Sequence, residues 1–324
     1  MKKINTISNK GLYGSNLVSR RDFLKKQGQA ALFAAAAAKA GFIFPSGAGA
    51  EDIPDIAVSR GGPDKAVRDA VEALGGMGAF VNPGDRVVIK PNMSFAHPPE
   101  RATNTHPLLV KALAEMCIQA GASRVLVLDN PLQNADQCME MSGISAACAS
   151  IDNTSVRTFN ASRFFEKVSL DQALNMKEAD VMRDVLESDV LIAAPVAKSH
   201  SGTGVSLSMK GMMGLIRDRG IMHRRYNLSS AIVDLCTFLR ADLAIIDATR
   251  VLSSHGPFGP GEVIEADRVI ASRDMVAADS MAVDMFPWYG RDVKPANVAH
   301  ISEAHKRGLG RMDLENLNIK TIKA

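Results

Sequence analysis

Short, nearly continuous apolar runs punctuate this chain. Residues 86–90 (RVVIK), 124–129 (RVLVLD), 190–197 (VLIAAPVA) and 241–247 (ADLAIID) have the pattern of strands buried on both faces. Residues 55–59, 268–272 and 318–322 add three shorter strand signals. Between them the apolar spacing changes to the helical period. Residues 63–74 carry Val67, Ala70, Val71 and Leu74 on one face, and residues 108–120 end at Gly121. Further helices are predicted over 229–239, 275–285 and 298–306. Strand, helix and strand over 86–129 make a βαβ unit, which implies parallel pairing. The predicted fold is α/β, a mostly parallel open sheet with helices on both faces. Residues 131–180 break the pattern, with weak helical signals near 136–149 and 178–187. Phe159, Phe164 and Phe165 need burial, so this stretch reads as an excursion or small subdomain.

The richest stretch is 189–216, DVLIAAPVAKSHSGTGVSLSMKGMMGLI. Its apolar start gives way to Lys198, His200, Gly202 and Gly204, then Lys210 and Gly211. Four predicted strands end in charge, at Lys90, Asp129, Lys198 and Asp247. Parallel strands would set all four on one rim, and ligands of open α/β sheets sit beyond the carboxyl ends of the strands. Lys90, Lys198 and Lys210 suit a carboxylate or phosphate, with Asn92 directly after the first of them. Gly202, Gly204 and Gly211 permit close backbone approach. A solvated side chain is the alternative for each lysine taken alone. Met209 stands where a Walker loop needs glycine, and no G-x-G-x-x-G follows the first strand.

His97, His106, His200, His223 and His255 fall in predicted loops or element starts. None has a metal-ligand spacing such as H-x-x-x-H, so a metal site would have to assemble across the fold. His200 and His255 are the candidate proton carriers, Asp247 their orienter or a metal ligand, and His223 a further candidate for the ligand. Asp279, among small apolar residues of a helix, either faces water or serves a site.

Composition narrows the class. No basic stripe or aromatic ladder points to nucleic acid. Residues 19–25 (SRRDFLK) match the twin-arginine export pattern, followed by an alanine-rich stretch and by Ala48-Gly49-Ala50, a small-residue cleavage site. Residues 1–50 are therefore expected to be a signal peptide, and 51–324 a single exported domain in the periplasm or its equivalent. The full chain has a net charge of +3. Residues 1–50 hold eight basic residues and one acidic. The remainder thus carries 30 basic and 34 acidic residues, a net of −4. Cys117, Cys138, Cys148 and Cys236 form no C-x-x-C, so no cysteine-bound iron–sulfur cluster is expected. Cys138 and Cys148 lie close enough in sequence to pair in an oxidising compartment.

Several motifs in order resemble the domain of unknown function 362 family. They are VVIKPNM from Val87, Thr105-His106-Pro107, PVAKSHSGTGVSLSMKGMMGLI from Pro195, His223, IIDAT with the later GPFGPG, and ASRDMVAADSMAVD from Ala271. The resemblance implies an α/β domain of poorly defined activity. Many relatives add a ferredoxin-like module with clustered cysteines, which this sequence lacks. Where relatives commonly show K-N-x-x-G, this chain has Lys210-Gly211-Met212-Met213-Gly214.

Two functional readings follow. One is an exported enzyme acting on a small anionic metabolite. The other is a non-catalytic protein that holds a metal or organic cofactor for a redox partner.

Overall fold

The computed structural model describes residues 53–323. The expected export segment lies outside the described residues. In chain order, β1 (Ile56–Arg60) leads to α1 (Pro63–Ala73), β2 (Arg86–Pro91), α2 (Pro107–Gln119) and β3 (Arg124–Asp129). The excursion contains α3 (Ala135–Met141), α4 (Ile144–Cys148), β4 (Thr154–Thr158), β5 (Phe165–Ser169), β6 (Glu178–Met182) and α5 (Arg183–Leu186). Then come β7 (Val190–Ala194), β8 (Val196–His200), β9 (Gly204–Ser206), α6 (Ser208–Gly211), α7 (Gly220–Arg225) and α8 (Leu228–Cys236). The last third holds β10 (Leu243–Leu252), β11 (Val263–Ser272), α9 (Met275–Met285), the short hairpin β12 (Pro287–Trp288) and β13 (Arg291–Asp292), α10 (Ala299–Lys306) and β14 (Ile319–Ile322).

The main sheet runs β14-β1-β11-β10-β7-β2-β3-β4. Along this path only β11 is antiparallel to its neighbours. The strands β10, β7, β2, β3 and β4 are parallel throughout. The expected mostly parallel sheet is therefore present, with β11 reversed on the main path and β9 reversed against β8 beside it.

Alternation along the strands divides the core. Val87 and Ile89 of β2, with Val125 and Val127 of β3, face Ala66, Val67, Leu109 and Leu113 of α1 and α2. Val88, Leu126, Leu191 and Ile246 face the other way, toward Ile232 and Leu235 of α8 and Ala278 and Ala282 of α9. Period-two strands between period-3.6 helices give this two-sided burial.

Three expectations are revised. The apolar run 190–197 is two strands. Pro195 has no N–H to give to a ladder, and its carbonyl accepts from Asp247 N at 2.8 Å. β7 thus ends at Ala194, and β8 pairs with β10 and β9. Lys198 consequently lies inside β8 and Asp247 in the middle of the fully buried β10, not at strand ends. Second, the weak helical signal at 178–187 is a strand followed by a single helical turn, because β6 pairs antiparallel with β5. Third, part of the 131–180 excursion belongs to the main sheet, since β4 extends it beyond β3. The β5–β6 ribbon remains a separate two-stranded unit, and Phe159 and Phe165 are buried.

Candidate functional site

A cavity of about 210 Å³ opens beyond the carboxyl ends of β2 and β3. β2 delivers Lys90, and the following turn Asn92, Ser94 and Phe95. β8 delivers Lys198 and His200, two residues apart and so on one side of the strand. Ser206 of β9, Lys210 and Gly211 of α6, Gly214, and the segment Arg219, Gly220 and His223 complete the wall with Asp129, Leu132 and Pro257. Of the residues anticipated for a ligand, Lys90, Asn92, Lys198, His200, Lys210, Gly211 and His223 meet here.

The loops are pinned from several sides. Asn92 N donates to Thr105 Oγ1 at 2.8 Å, and Val196 N donates to Asn92 Oδ1 at 3.1 Å. Thr105 Oγ1 donates in turn to the Ala194 carbonyl at 2.7 Å. Buried Asp279 accepts from Ser208 N at 2.9 Å and Met209 N at 3.0 Å, and from the Ser208 hydroxyl. Burial pushes its carboxyl up to about 7, against the pull of those donors. Asp279 therefore serves the site at one remove, fixing the start of the turn that carries Lys210. Gly214 is needed for contact: a Cβ there would overlap Asp129 Oδ1 and Lys90 Cε.

The charge balance is uneven. Lys90 Nζ sits 3.1 Å from Asp129 Oδ1, both side chains buried. Asp129 Oδ2 also accepts from Met93 N at 2.8 Å and Ser94 Oγ at 2.9 Å. Burial alone would raise this carboxyl, but Lys90, Arg219 and the Met93 N–H hold it below the usual carboxylate range. The other three cations, Lys198, Lys210 and Arg219, form no ion pair among the described residues. Lys198 Nζ donates to the Thr103 carbonyl at 2.6 Å and lies 5.0 Å from the centre of the Phe95 ring. Arg219 Nη2 is buried with no hydrogen-bond partner. Burial, then the charge of Lys210, lowers Lys198 to about 7. Burial and Arg219 lower Lys210 to about 8.

His200 stands close to these cations, 6.4 Å from His223 between ring centres. Gly202 N donates to His200 Nδ1 at 3.0 Å. Burial, followed by Lys210, His223 and Lys198, drives His200 down to about 3. The ring is neutral near pH 7, and its proton resides on Nε2.

Four anticipated residues lie apart from the cavity wall. Asp247 Oδ2 accepts from His106 N at 2.7 Å, and Oδ1 accepts from Thr249 N at 3.1 Å and Thr249 Oγ1 at 2.6 Å. This carboxylate holds the entry to α2 and orients no imidazole. His255 is exposed, its Nδ1 3.2 Å from Ser254 Oγ. Gly202 packs at the edge of the His200 ring, and Gly204, with φ of 79°, turns the hairpin opposite it. Among the described residues no group of three or more His, Cys, Asp or Glu is placed to hold a metal ion. The four cysteines are free and buried, so Cys138 and Cys148 are unpaired.

Two residues were not anticipated. Arg219 belongs to a segment, 218–227, whose basic character was visible, but nothing in the sequence separated it from its neighbours Arg224 and Arg225. His300 of α10 is fully buried with both ring nitrogens unpartnered, and burial with the Lys210 charge lowers it to about 3.

The chain is thus an α/β protein whose open parallel sheet carries a cationic cavity at the carboxyl ends of its strands. It belongs to the family described as Domain of unknown function (DUF362), whose pattern matches residues 87–284. It is 25% identical over 253 residues to "Thylakoid-associated protein sll1697" of Synechocystis sp. (strain ATCC 27184 / PCC 6803 / Kazusa), covering 75% of this chain and 74% of that protein. Among solved structures it is similar to the lactate racemase apoprotein of Thermoanaerobacterium thermosaccharolyticum, at 14% identity and a TM-score of 0.43. That match covers 70% of this chain and 55% of the racemase chain. No helix among the described residues is long and apolar enough to cross a membrane.

Proposed function

We propose that this chain is an exported enzyme that binds a small anionic metabolite, a carboxylate or phosphate, in the cavity and moves a proton with Lys198. The observation that carries the proposal is the set of three cations, Lys198, Lys210 and Arg219, that line one cavity and have no ion-pair partner among the described residues. Assembling like charges there costs folding energy, and an anion would return it. Asn92, Ser94 and Ser206 add polar groups to the same wall.

Ligand-free, Lys198 at about 7 is divided between amine and ammonium at neutral pH; a bound anion raises it, so in the complex it stands as the ammonium and suits a general acid. The neutral His200 is better placed to donate a hydrogen bond from Nε2 than to carry a proton. This differs from the role expected from sequence, where His200 and His255 were the proton carriers. The alternative is a non-catalytic protein that retains an anionic organic cofactor for a redox partner. It is favoured by one detail: Asp129, the only carboxylate lining the cavity among the described residues, is already engaged by Lys90.

The test is thermal unfolding of the mature protein with inorganic phosphate or malonate, beside Lys198→Met and Lys210→Met variants. An anion that stabilises the native protein raises its unfolding temperature by mass action, and each variant should lose most of that rise. An unfolding temperature indifferent to both anions would remove the basis of the proposal. Turnover of a bound anion, absent in Lys198→Met, separates the enzyme from the carrier.

A further inference from the structure

The mouth of the cavity differs in character from its floor. Leu132 lines the cavity and is 58% exposed. Pro257 lines it from the opposite chain segment, and its neighbour Phe258 is 57% exposed. Phe258 stands 6.2 Å from the Phe95 ring, itself part of the wall. Gly256 fixes this edge, because a Cβ there would overlap the Ser199 carbonyl, and its N–H donates to Ser199 Oγ at 2.9 Å. Large apolar side chains left open to water beside a charged cavity are the pattern of a binding mouth.

We infer that the ligand is a compact dianion carrying an apolar substituent, of the phosphomonoester type, with its head on Lys198, Lys210 and Arg219 and its substituent against Phe95, Leu132 and Phe258. This rests on the anion-binding reading above and narrows it. Two observations carry it independently. The first is charge. Lys90 is matched by Asp129, which leaves three cations for the ligand. A monoanion would leave at least two of them without a counter-charge, in surroundings that have already lowered Lys198 to about 7 and Lys210 to about 8. Lys198 is faced by Lys210, Lys90, Arg219 and Asp129, so no second carboxylate relieves it. The second is space. About 210 Å³ equals the share of roughly seven liquid waters at ~30 Å³ each, more than a five-atom oxyanion fills. The remainder opens toward the apolar mouth.

The experiment is calorimetric titration of the mature protein at pH 7.5 with three probes. Phenyl phosphate is a dianion there, its second ionisation lying near pH ~6. Phenyl sulfate keeps the ring and has one charge. Methyl phosphate keeps the head and lacks the ring. Phenyl phosphate should bind about tenfold or more tightly than either, one factor from the second charge and the other from the buried ring. In a Leu132→Ser/Phe258→Ser double variant the preference for phenyl over methyl phosphate should fall to about twofold. Equal binding of phenyl sulfate and phenyl phosphate would overturn the dianion and leave a general anion site standing. Equal binding of methyl and phenyl phosphate would overturn the apolar substituent. Failure of all three probes to bind would overturn both this inference and the anion site itself.

Discussion

Replacing Lys198 by methionine should stabilise the ligand-free protein at pH 6 and leave its stability nearly unchanged at pH 9.5. Lys198 is 3% exposed, faces Lys210, and forms no ion pair among the described residues. Its pKa in the fold is about 7, against 10.5 for an unperturbed lysine. Between those values the unfolded chain binds a proton that the folded chain refuses, so stability rises with pH across this window. Below pH 7 the lysine is charged in both states, and the full penalty of a buried, repelled ammonium is present. At ~1.4 kcal/mol for each pH unit that penalty is roughly 2–5 kcal/mol. Methionine keeps the apolar stem and never carries charge. It also cannot donate to the Thr103 carbonyl, now bonded at 2.6 Å, a loss of about 1–2 kcal/mol at every pH. At pH 9.5, one unit below the unfolded value, about 1.4 kcal/mol of the penalty remains and roughly offsets the lost hydrogen bond, so the difference between variant and native protein should run from about 1–3 kcal/mol stabilising at pH 6 to near zero at pH 9.5. Urea unfolding in anion-poor buffer at both pH values measures it. A difference of the same sign and size at both would mean that Lys198 carries no electrostatic penalty, and the reasoning from an unpaired cation cluster would fail.

Two other outcomes are expected. Gly214→Ala places a methyl against Asp129 Oδ1 and Lys90 Cε; separating that buried pair should cost roughly 3 kcal/mol in urea unfolding, and a loss under 1 kcal/mol would show that the pair accommodates a Cβ. Arg20→Lys with Arg21→Lys should leave the protein in the cytoplasm of its host, measured by fractionation; unchanged export would show that residues 19–25 are not read as a twin-arginine signal.

Much of the sheet was legible because its strands are buried on both faces. The runs at 86–90 and 124–129 announce β2 and β3 with almost no error, and Gly121 marks the end of α2. What the runs conceal is where pairing changes partner. The step from β7 to β8 turns on one missing N–H at Pro195. The length of β10 depends on pairing with β11, which residues 263–267 do not advertise through polar positions such as Glu265 and Asp267. β6 escaped notice because its ribbon partner β5, not its own periodicity, makes it a strand.

The site was legible by residue type more than by position. Lys90 and Lys198 converge because each lies near the carboxyl end of a buried strand, and Lys210 because the glycine-containing turn after β8 and the β9 strand return the chain to them, features that sequence displays directly. Asp247 and His255 looked equally suitable but are committed elsewhere, one to the His106 backbone and the other to the surface. Arg219 became distinctive only when the 217–225 segment folded against Asp129 and Gly214, a tertiary fact with no local signature.

In the proposed function the cavity binds an anion by means of unpaired cations that protonate as it enters. Calorimetric titration with sulfate from pH 6 to pH 9.5 tests this most directly, because sulfate remains a dianion throughout and only the protein titrates. Bound sulfate should raise the pKa of Lys198 and Lys210 above about 7 and about 8, so the site must take up protons to bind at higher pH. Affinity should be strongest near pH 6, weaken by about tenfold or more for each pH unit above 8, and be accompanied by measurable proton uptake. Sulfate affinity that stays constant across that range, or no binding at pH 6, would contradict it.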